Sequence, residues 1–190
     1  MTTSSFLLSF SVAWILLFLV AGCAGKRNWD YEPISIVTRT TDESKINIGA
    51  EVEPMGRDGF AFTAHFLINF DMDETTMVEV TAYRSSTGSE DDYKLLPWSI
   101  PKQTFKKFAD SHYKDIVFAN LEHCSNIPNP ENVYPWPKGT AIFDRCTATG
   151  DGMPEIAPEG YYKIIFTISG EVEAGFTTIV KLTTKTDMLG

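Results

Sequence analysis

Three histidines, two acidic turns and three cysteines are the side chains here with the types to make or break bonds, or to hold a metal. A hydrolytic triad needs an imidazole beside a nucleophilic serine and a carboxylate. No G-x-S-x-G turn presents such a serine. His65 alternates onto the polar side of a Phe-rich run, His112 falls in a stretch of helical spacing, and His123 adjoins Cys124. That scatter predicts surface or half-buried imidazoles rather than a catalytic set. Asp71, Asp73 and Glu74 form one acidic turn, and Glu90, Asp91 and Asp92 another. Neither has the full calcium-binding loop with its glycine and closing glutamate. A glycosidase would need two carboxylates at a defined separation across a cleft, which spacing along the chain does not set. A Gly-rich phosphate loop is absent. The expectation is a protein that is not an enzyme, with no catalytic residue, no metal site and no cofactor. A secreted hydrolase working through Asp73 or Asp91 is the least favoured alternative.

Cys23 lies in "LVAGCAGKR", directly behind the apolar run of residues 6–21. A bilayer span takes about 20 residues, so this run suits the core of a signal peptide better. Gly22, Cys23 and Ala24 fit a small-x-small pattern for cleavage after Ala24. The expected organisation is a secretory leader over residues 1–24, which removes Cys23, and a single domain over 25–190. Lys26 and Arg27 behind the run favour an uncleaved anchor instead. A lipoprotein is suggested by "VAGC", although "MTTSS" lacks the positive charge of a leader. Cys124 and Cys146 remain. In an oxidising compartment they are expected to pair, worth on the order of 3 kcal/mol through the loop they close. Two separate buried thiols are the alternative. Zinc is disfavoured because no close Cys or His pairs accompany them.

The leader carries no charged side chain, so the formal net charge of −9 stays with the mature chain. That balance argues against nucleic acid as a partner and against adsorption to anionic membranes. With the leader removed, no integral membrane segment is expected.

The elements that must position any site are mostly strands. "YEPISIVT" predicts an edge strand interrupted by Pro33. "KINIGAEV" puts Ile46, Ile48, Ala50 and Val52 on one face. "FAFTAHFLINF" does the same for Phe60, Phe62, Ala64, Phe66, Ile68 and Phe70. "MVEVTAYRS" sets Val78, Val80 and Ala82 opposite Glu79, Thr81 and Tyr83, and the polar "DMDET" predicts that these last two strands pair as a hairpin. Ser99 as cap and Pro101 in the first turn open a helix predicted from 101 to about 121, interrupted near Asp110 and Ser111. Phe105, Phe108, Ala109, His112, Ile116, Ala119 and Leu121 recur at its spacing. "NIPNPENVYPWPKG" is too rich in proline for regular structure. "TAIFDRCTAT", "YYKIIFTISG" and "FTTIVKLTTK" close the chain, with a tight loop at 170–175. About seven strands and one amphipathic helix make a mainly β fold. The expected architecture is a two-sheet antiparallel, immunoglobulin-like sandwich or β-cup with the helix against an edge or opening.

Aromatic and aliphatic content stands out where catalytic groups do not. Trp29, Trp98 and Trp136 belong to the mature region, and a single strand carries Phe60, Phe62, Phe66 and Phe70. Inward-facing rings of this kind make either a packed core or the wall of a cavity between sheets held apart. Periodicity does not separate the two.

The stretches "DYKLLPWSIPKQTFKKFADSHYKDIVFANLEHCSNIPN" and "WPKGTAIFDRCTATGDGMPEIAPEGYYKIIFTISGEVEAGFTTIVKL" resemble insect secreted proteins of the Che chemosensory group. These belong to the MD-2-related lipid-recognition superfamily, near the GM2 activator. "CSNIP", "LPWSIPKQTF" and "GDGMPEIAPEGYYK" carry most of the resemblance, which extends upstream through "NWDYEP" and "VEVTAYRSSTGSEDDYK". It implies a two-sheet cup holding a hydrophobic ligand, no enzyme activity, secretion into extracellular fluid around sensory dendrites, and a role in taste or pheromone sensing. Better-known members carry several disulfides, whereas this chain has cysteines for one after leader removal.

The reading that follows is a secreted, non-enzymatic binder of a hydrophobic small molecule, a lipid or a cuticular-hydrocarbon-like pheromone. Transfer of such a ligand from water gains about 0.8 kcal/mol per buried methylene. Strand alternation nominates Phe62, Phe66, Phe70, Tyr162, Ile164, Phe166, Phe176 and Val180 as the pocket lining. The alternative is an extracellular interaction module with a packed core that modulates a receptor or ion channel.

Overall fold

Period-two alternation of apolar and polar side chains produces nine strands among residues 27–185, the part of the chain that the computed structural model describes. The expected leader over 1–24, Cys23 included, lies outside those residues. The strands are β1 (Trp29–Thr40), β2 (Ile46–Pro54), β3 (Phe60–Ile68), β4 (Met77–Ser85), β5 (Lys94–Leu95), β6 (Ile100–Thr104), β7 (Gly139–Cys146), β8 (Gly160–Ser169) and β9 (Ala174–Thr184). They form two antiparallel sheets. The large one runs β1-β9-β8-β4, with β5 and β6 sharing the far edge of β4; the small one runs β2-β3-β7. The expected mainly β, two-sheet architecture is what forms. Two strands beyond the expected count, β5 and β6, are short edge pieces.

The predicted hairpin between β3 and β4 does not form. β3 pairs with β2 and β7 in the small sheet, while β4 pairs with β8, β5 and β6 in the large one. The chain crosses from one sheet to the other through the acidic turn, where Asp73 accepts hydrogen bonds from the Thr75 amide (2.7 Å) and hydroxyl (2.6 Å). Both strands keep their apolar faces inward, so the face pattern was satisfied by opposed sheets as well as by a hairpin. The loop between β8 and β9, by contrast, is the expected tight connection. β3 is also less regular than its sequence. A register shift lies between Phe62 and Ala64, which leaves Phe60 39% exposed and Ala61 fully buried.

A second correction concerns the helix. Residues 100–104 form β6, and the helix α1 starts only at Phe105, in segments Phe105–Phe108, Ala109–Phe118 and Ala119–Leu121. Thr104 rather than Ser99 is the cap; its hydroxyl accepts from the Lys107 amide at 3.3 Å. Pro101 is tolerated because β6 is an edge strand with a register irregularity opposite Val78 and Val80. The middle segment, Ala109–Phe118, is a π-helix and contains the Asp110–Ser111 pair where an interruption was expected.

One face of α1 carries Phe105, Phe108, Ala109 and Tyr113 into the core with Ile46, Ile68, Val78 and Ile168. Each large side chain of this set contributes about 1.5–3 kcal/mol of burial, and the Ala109 methyl about 0.8 kcal/mol. The Tyr113 hydroxyl donates to the Pro128 carbonyl at 2.6 Å, which ties the helix to the proline-rich loop, and burial pushes its pKa up. After the 3-10 turn Glu122–Cys124, the expected disulfide joins Cys124 to Cys146 at the end of β7, with Cα atoms 5.4 Å apart. Helix and loop thus form a cover fastened to the small sheet.

Candidate functional site

Strand register arranges the inner face of the large sheet into four rows. The first is Ala174, Ile168, Val78 and Gln103; the second is Phe176, Phe166, Val80 and Ile100; the third is Thr178, Ile164 and Ala82; the fourth is Val180, Tyr162 and Arg84. The first row is packed shut under the helix and the small sheet. In the fourth, Tyr162 belongs to a separate buried cluster with Trp29, Ala157 and Leu182. Between these two cores, Phe176, Phe166, Val80, Ile100, Thr178 and Ile164 are only partly buried. The small sheet shows the same gradient: Ile46 and Ile48 are buried, whereas Ala50 and Val52 on the same strand are not fully covered. A band of partly exposed inner surface therefore lies between the two clusters, with Phe66, Phe166 and Ile100 packed against the main one, Val180 against the other, and Ala82 buried within it.

The nominated lining residues divide accordingly. Phe62, Phe66, Ile164, Phe166, Phe176 and Val180 lie partly buried along the band. Phe70 is 6% exposed and sits within the main core, beyond the end of β3. Tyr162 is 2% exposed and closes the opposite end. The structure brings Phe66, Phe166 and Phe176 together: Phe166 stacks on Phe176 at 5.2 Å between centroids, and Phe66 meets Phe176 edge-on at 6.1 Å. That last contact bridges the two sheets. Phe108 of the helix reaches Phe166 at 6.4 Å, and Phe143 of β7 lies 5.5 Å from Phe66 and 6.2 Å from Phe62.

Polar groups on the inner face were not picked out by the aromatic pattern. Arg84 continues the inward series Val78, Val80, Ala82 in "MVEVTAYRS", and a charge at the end of an apolar alternation is the signal that marks it. Gln103 faces Val78, is 8% exposed, and its Nε2 is buried without a hydrogen-bond partner.

The acidic turns serve themselves. Asp92 accepts from the Ser85 and Ser86 hydroxyls and the Ser86 amide, each at 2.9 Å, and these bonds hold its carboxyl well below the usual range. The Thr75 hydroxyl and amide likewise lower the Asp73 pKa. Glu90 pairs with Lys163, whose ammonium also lies 4.1 Å from the Tyr93 ring. His65 lies exposed over Gly49 and bonds Asn47 at 3.1 Å; His112 meets Phe108 at 5.9 Å; His123 is exposed. Among the described residues no group of three His, Cys, Asp or Glu side chains is placed to hold a metal ion, and no helix is long and apolar enough to cross a membrane. A groove of about 90 Å³ beside the proline-rich loop, around Trp136, Lys138, Thr140 and Ala141, is far smaller than a lipid site.

Residues 78–164, from β4 to the middle of β8, match a family of proteins of unknown function, DUF1091. The matched stretch contains Arg84, Gln103, the whole of α1 and both bonded cysteines. No curated protein matches the chain.

Proposed function

We propose that this domain binds a hydrophobic small molecule between its sheets, without making or breaking a covalent bond. The observation that carries this reading is the partly exposed aromatic band between two separately buried clusters. Pockets for apolar ligands are lined in this way, mostly by hydrophobic and aromatic groups with few polar ones. The resemblance to secreted Che proteins supports an extracellular carrier in chemosensation, with a lipid or pheromone as cargo.

Saturable uptake of a fluorescent fatty-chain probe by purified protein, with displacement by unlabelled lipid, tests the proposal. Ile164→Trp, which fills the centre of the third row, is expected to lower probe affinity at least tenfold while leaving the far-ultraviolet spectrum unchanged. Absence of saturable uptake by the unmodified protein overturns the reading. The Phe66–Phe176 bridge favours the alternative, an interaction module with a packed core, and that alternative predicts no uptake at all.

A further inference from the structure

Arg84 is the one cation among the four inner-face rows. Its Cα pairs with Tyr162, so its side chain leaves the sheet on the same side as Tyr162, Ala82 and Val80. The guanidinium donates from Nη2 to the Glu159 carbonyl on the exposed side and also lies against the Tyr162 hydroxyl, with which it shares a side-chain hydrogen bond. Its Nε is buried without a partner. No carboxylate among the described residues forms an ion pair with it. Glu159, the nearest acid in sequence to that contact, directs its carboxylate to the Thr184 amide instead. A guanidinium has five N–H donors in a planar fork suited to carboxylates, and leaving them unmet in a partly buried place is costly.

The surroundings give that charge a direction. Tyr162 donates its hydroxyl to the Pro158 carbonyl at 2.6 Å and accepts from Arg84, so the phenol holds one edge of the guanidinium and leaves Nε without a partner. Trp98 stacks on Tyr162 at 5.8 Å and is 44% exposed, forming the outer wall of this end. Inward from Arg84, the rows run Ala82 with Ile164, then Val80 with Phe166, over roughly 13 Å at the rise of a strand. Ala82 is buried, while Ile164, Val80 and Phe166 are partly exposed, so a ligand lying along these rows would set a polar head at Arg84 and a hydrocarbon tail on the aromatic side. The formal net charge of −9 opposes anions over the rest of the molecule, so any preference for an anionic ligand must be local.

We infer that Arg84 is the head-group anchor of the cleft and that its ligand is a long-chain carboxylate, with the tail along Ile164, Phe166 and Phe176. This rests on the proposed function and narrows it from apolar molecules in general to anionic single-tailed amphiphiles. The test compares oleate with oleyl alcohol, below their aggregation concentrations, by displacement of a neutral fluorescent probe. The unmodified protein is expected to bind oleate at least tenfold more tightly than the alcohol. Arg84→Gln is expected to bring oleate down to the level of the alcohol and leave the alcohol unchanged; Arg84→Lys is expected to retain part of the preference. The alcohol arm also reports that the Gln variant is folded. Equal affinity for both compounds in the unmodified protein, or an oleate preference that survives Arg84→Gln, overturns the anchor while the apolar cleft stands. Failure of both compounds to bind overturns the cleft and the anchor together.

Discussion

Arg145 has φ 47°, a left-handed conformation that β-carbon sterics disfavour in all but glycine and a few polar residues. It occupies the register shift where Phe62 faces Cys146 and Ala64 faces Phe143, and its amide bonds the Thr63 hydroxyl at 3.3 Å. Among the described residues its guanidinium pairs with the exposed Asp144 at 3.9 Å alone, a pair of negligible value. Arg145→Gly is therefore expected to stabilise the fold by about 1 kcal/mol, and Arg145→Val to destabilise it, read as shifts of the urea midpoint. Asp92 gives a prediction in pH. Its folded-state pKa is depressed by the Ser85 and Ser86 hydrogen bonds, so the stability it contributes is present above the unfolded value near 3.9 and is lost as pH falls through the folded value. Between pH 5 and 2, Asp92→Asn is expected to flatten the fall of thermal midpoint with acidification, and to lower the midpoint at neutral pH. An unchanged acid limb would remove Asp92 from the account. Residue types made the inward faces legible, whereas Arg84 went unmarked, although a charge closing an apolar alternation is its signature. Its lack of a carboxylate partner among the described residues was not visible, because that depends on where Glu159 points.

Strand faces were easier to read than strand partners. The alternation in β2, β3, β8 and β9 is written in the sequence, since each side chain's face follows from the pleat. Pairing of β3 with β7 rather than β4 is set by a crossover between sheets, which leaves both face patterns intact and so no trace in them. The start of α1 was misplaced for a related reason: Ser99 and Pro101 suit a helix start, but Pro101 suits an edge strand equally well, and pairing with β4 decides. β9 crosses β8 so closely that a β-carbon on Gly175 would lie 2.0 Å from the Phe166 carbonyl oxygen, with φ at 159°. Gly175→Ala is expected to cost more than about 1 kcal/mol and to disturb the Phe166–Phe176 stack, visible in near-ultraviolet circular dichroism. The Cys124–Cys146 bond fixes the end of the helical cover to β7. Replacing both cysteines by serine is expected to cost about 3 kcal/mol in urea unfolding. Faster protease cleavage within residues 125–138 than within either sheet is expected to accompany it.

For the whole molecule, occupancy and stability are linked. A ligand present at a hundred times its dissociation constant, and bound only by the folded form, adds about 2.7 kcal/mol. Oleate is thus expected to raise the thermal midpoint of the unmodified protein, with a smaller rise for Arg84→Gln at the same concentration. Whether a gap lies between the sheets was illegible in the sequence, because rings that pack and rings that line a cavity alternate alike. The partial exposure of Phe166 and Phe176 is a property of the assembled layers. The cover over the main core is one uninterrupted length of chain, residues 105–138, inserted between β6 and β7. It joins the strand pairing at Ser125, which makes a single antiparallel bridge to Phe143 of β7. Apart from Cys124 and the face that fills the core, Phe105, Phe108, Ala109 and Tyr113 among it, its outward side chains are free to diverge while the strands stay as they are, so a lineage built on this plan could change which molecules it admits without having to reinvent how it folds.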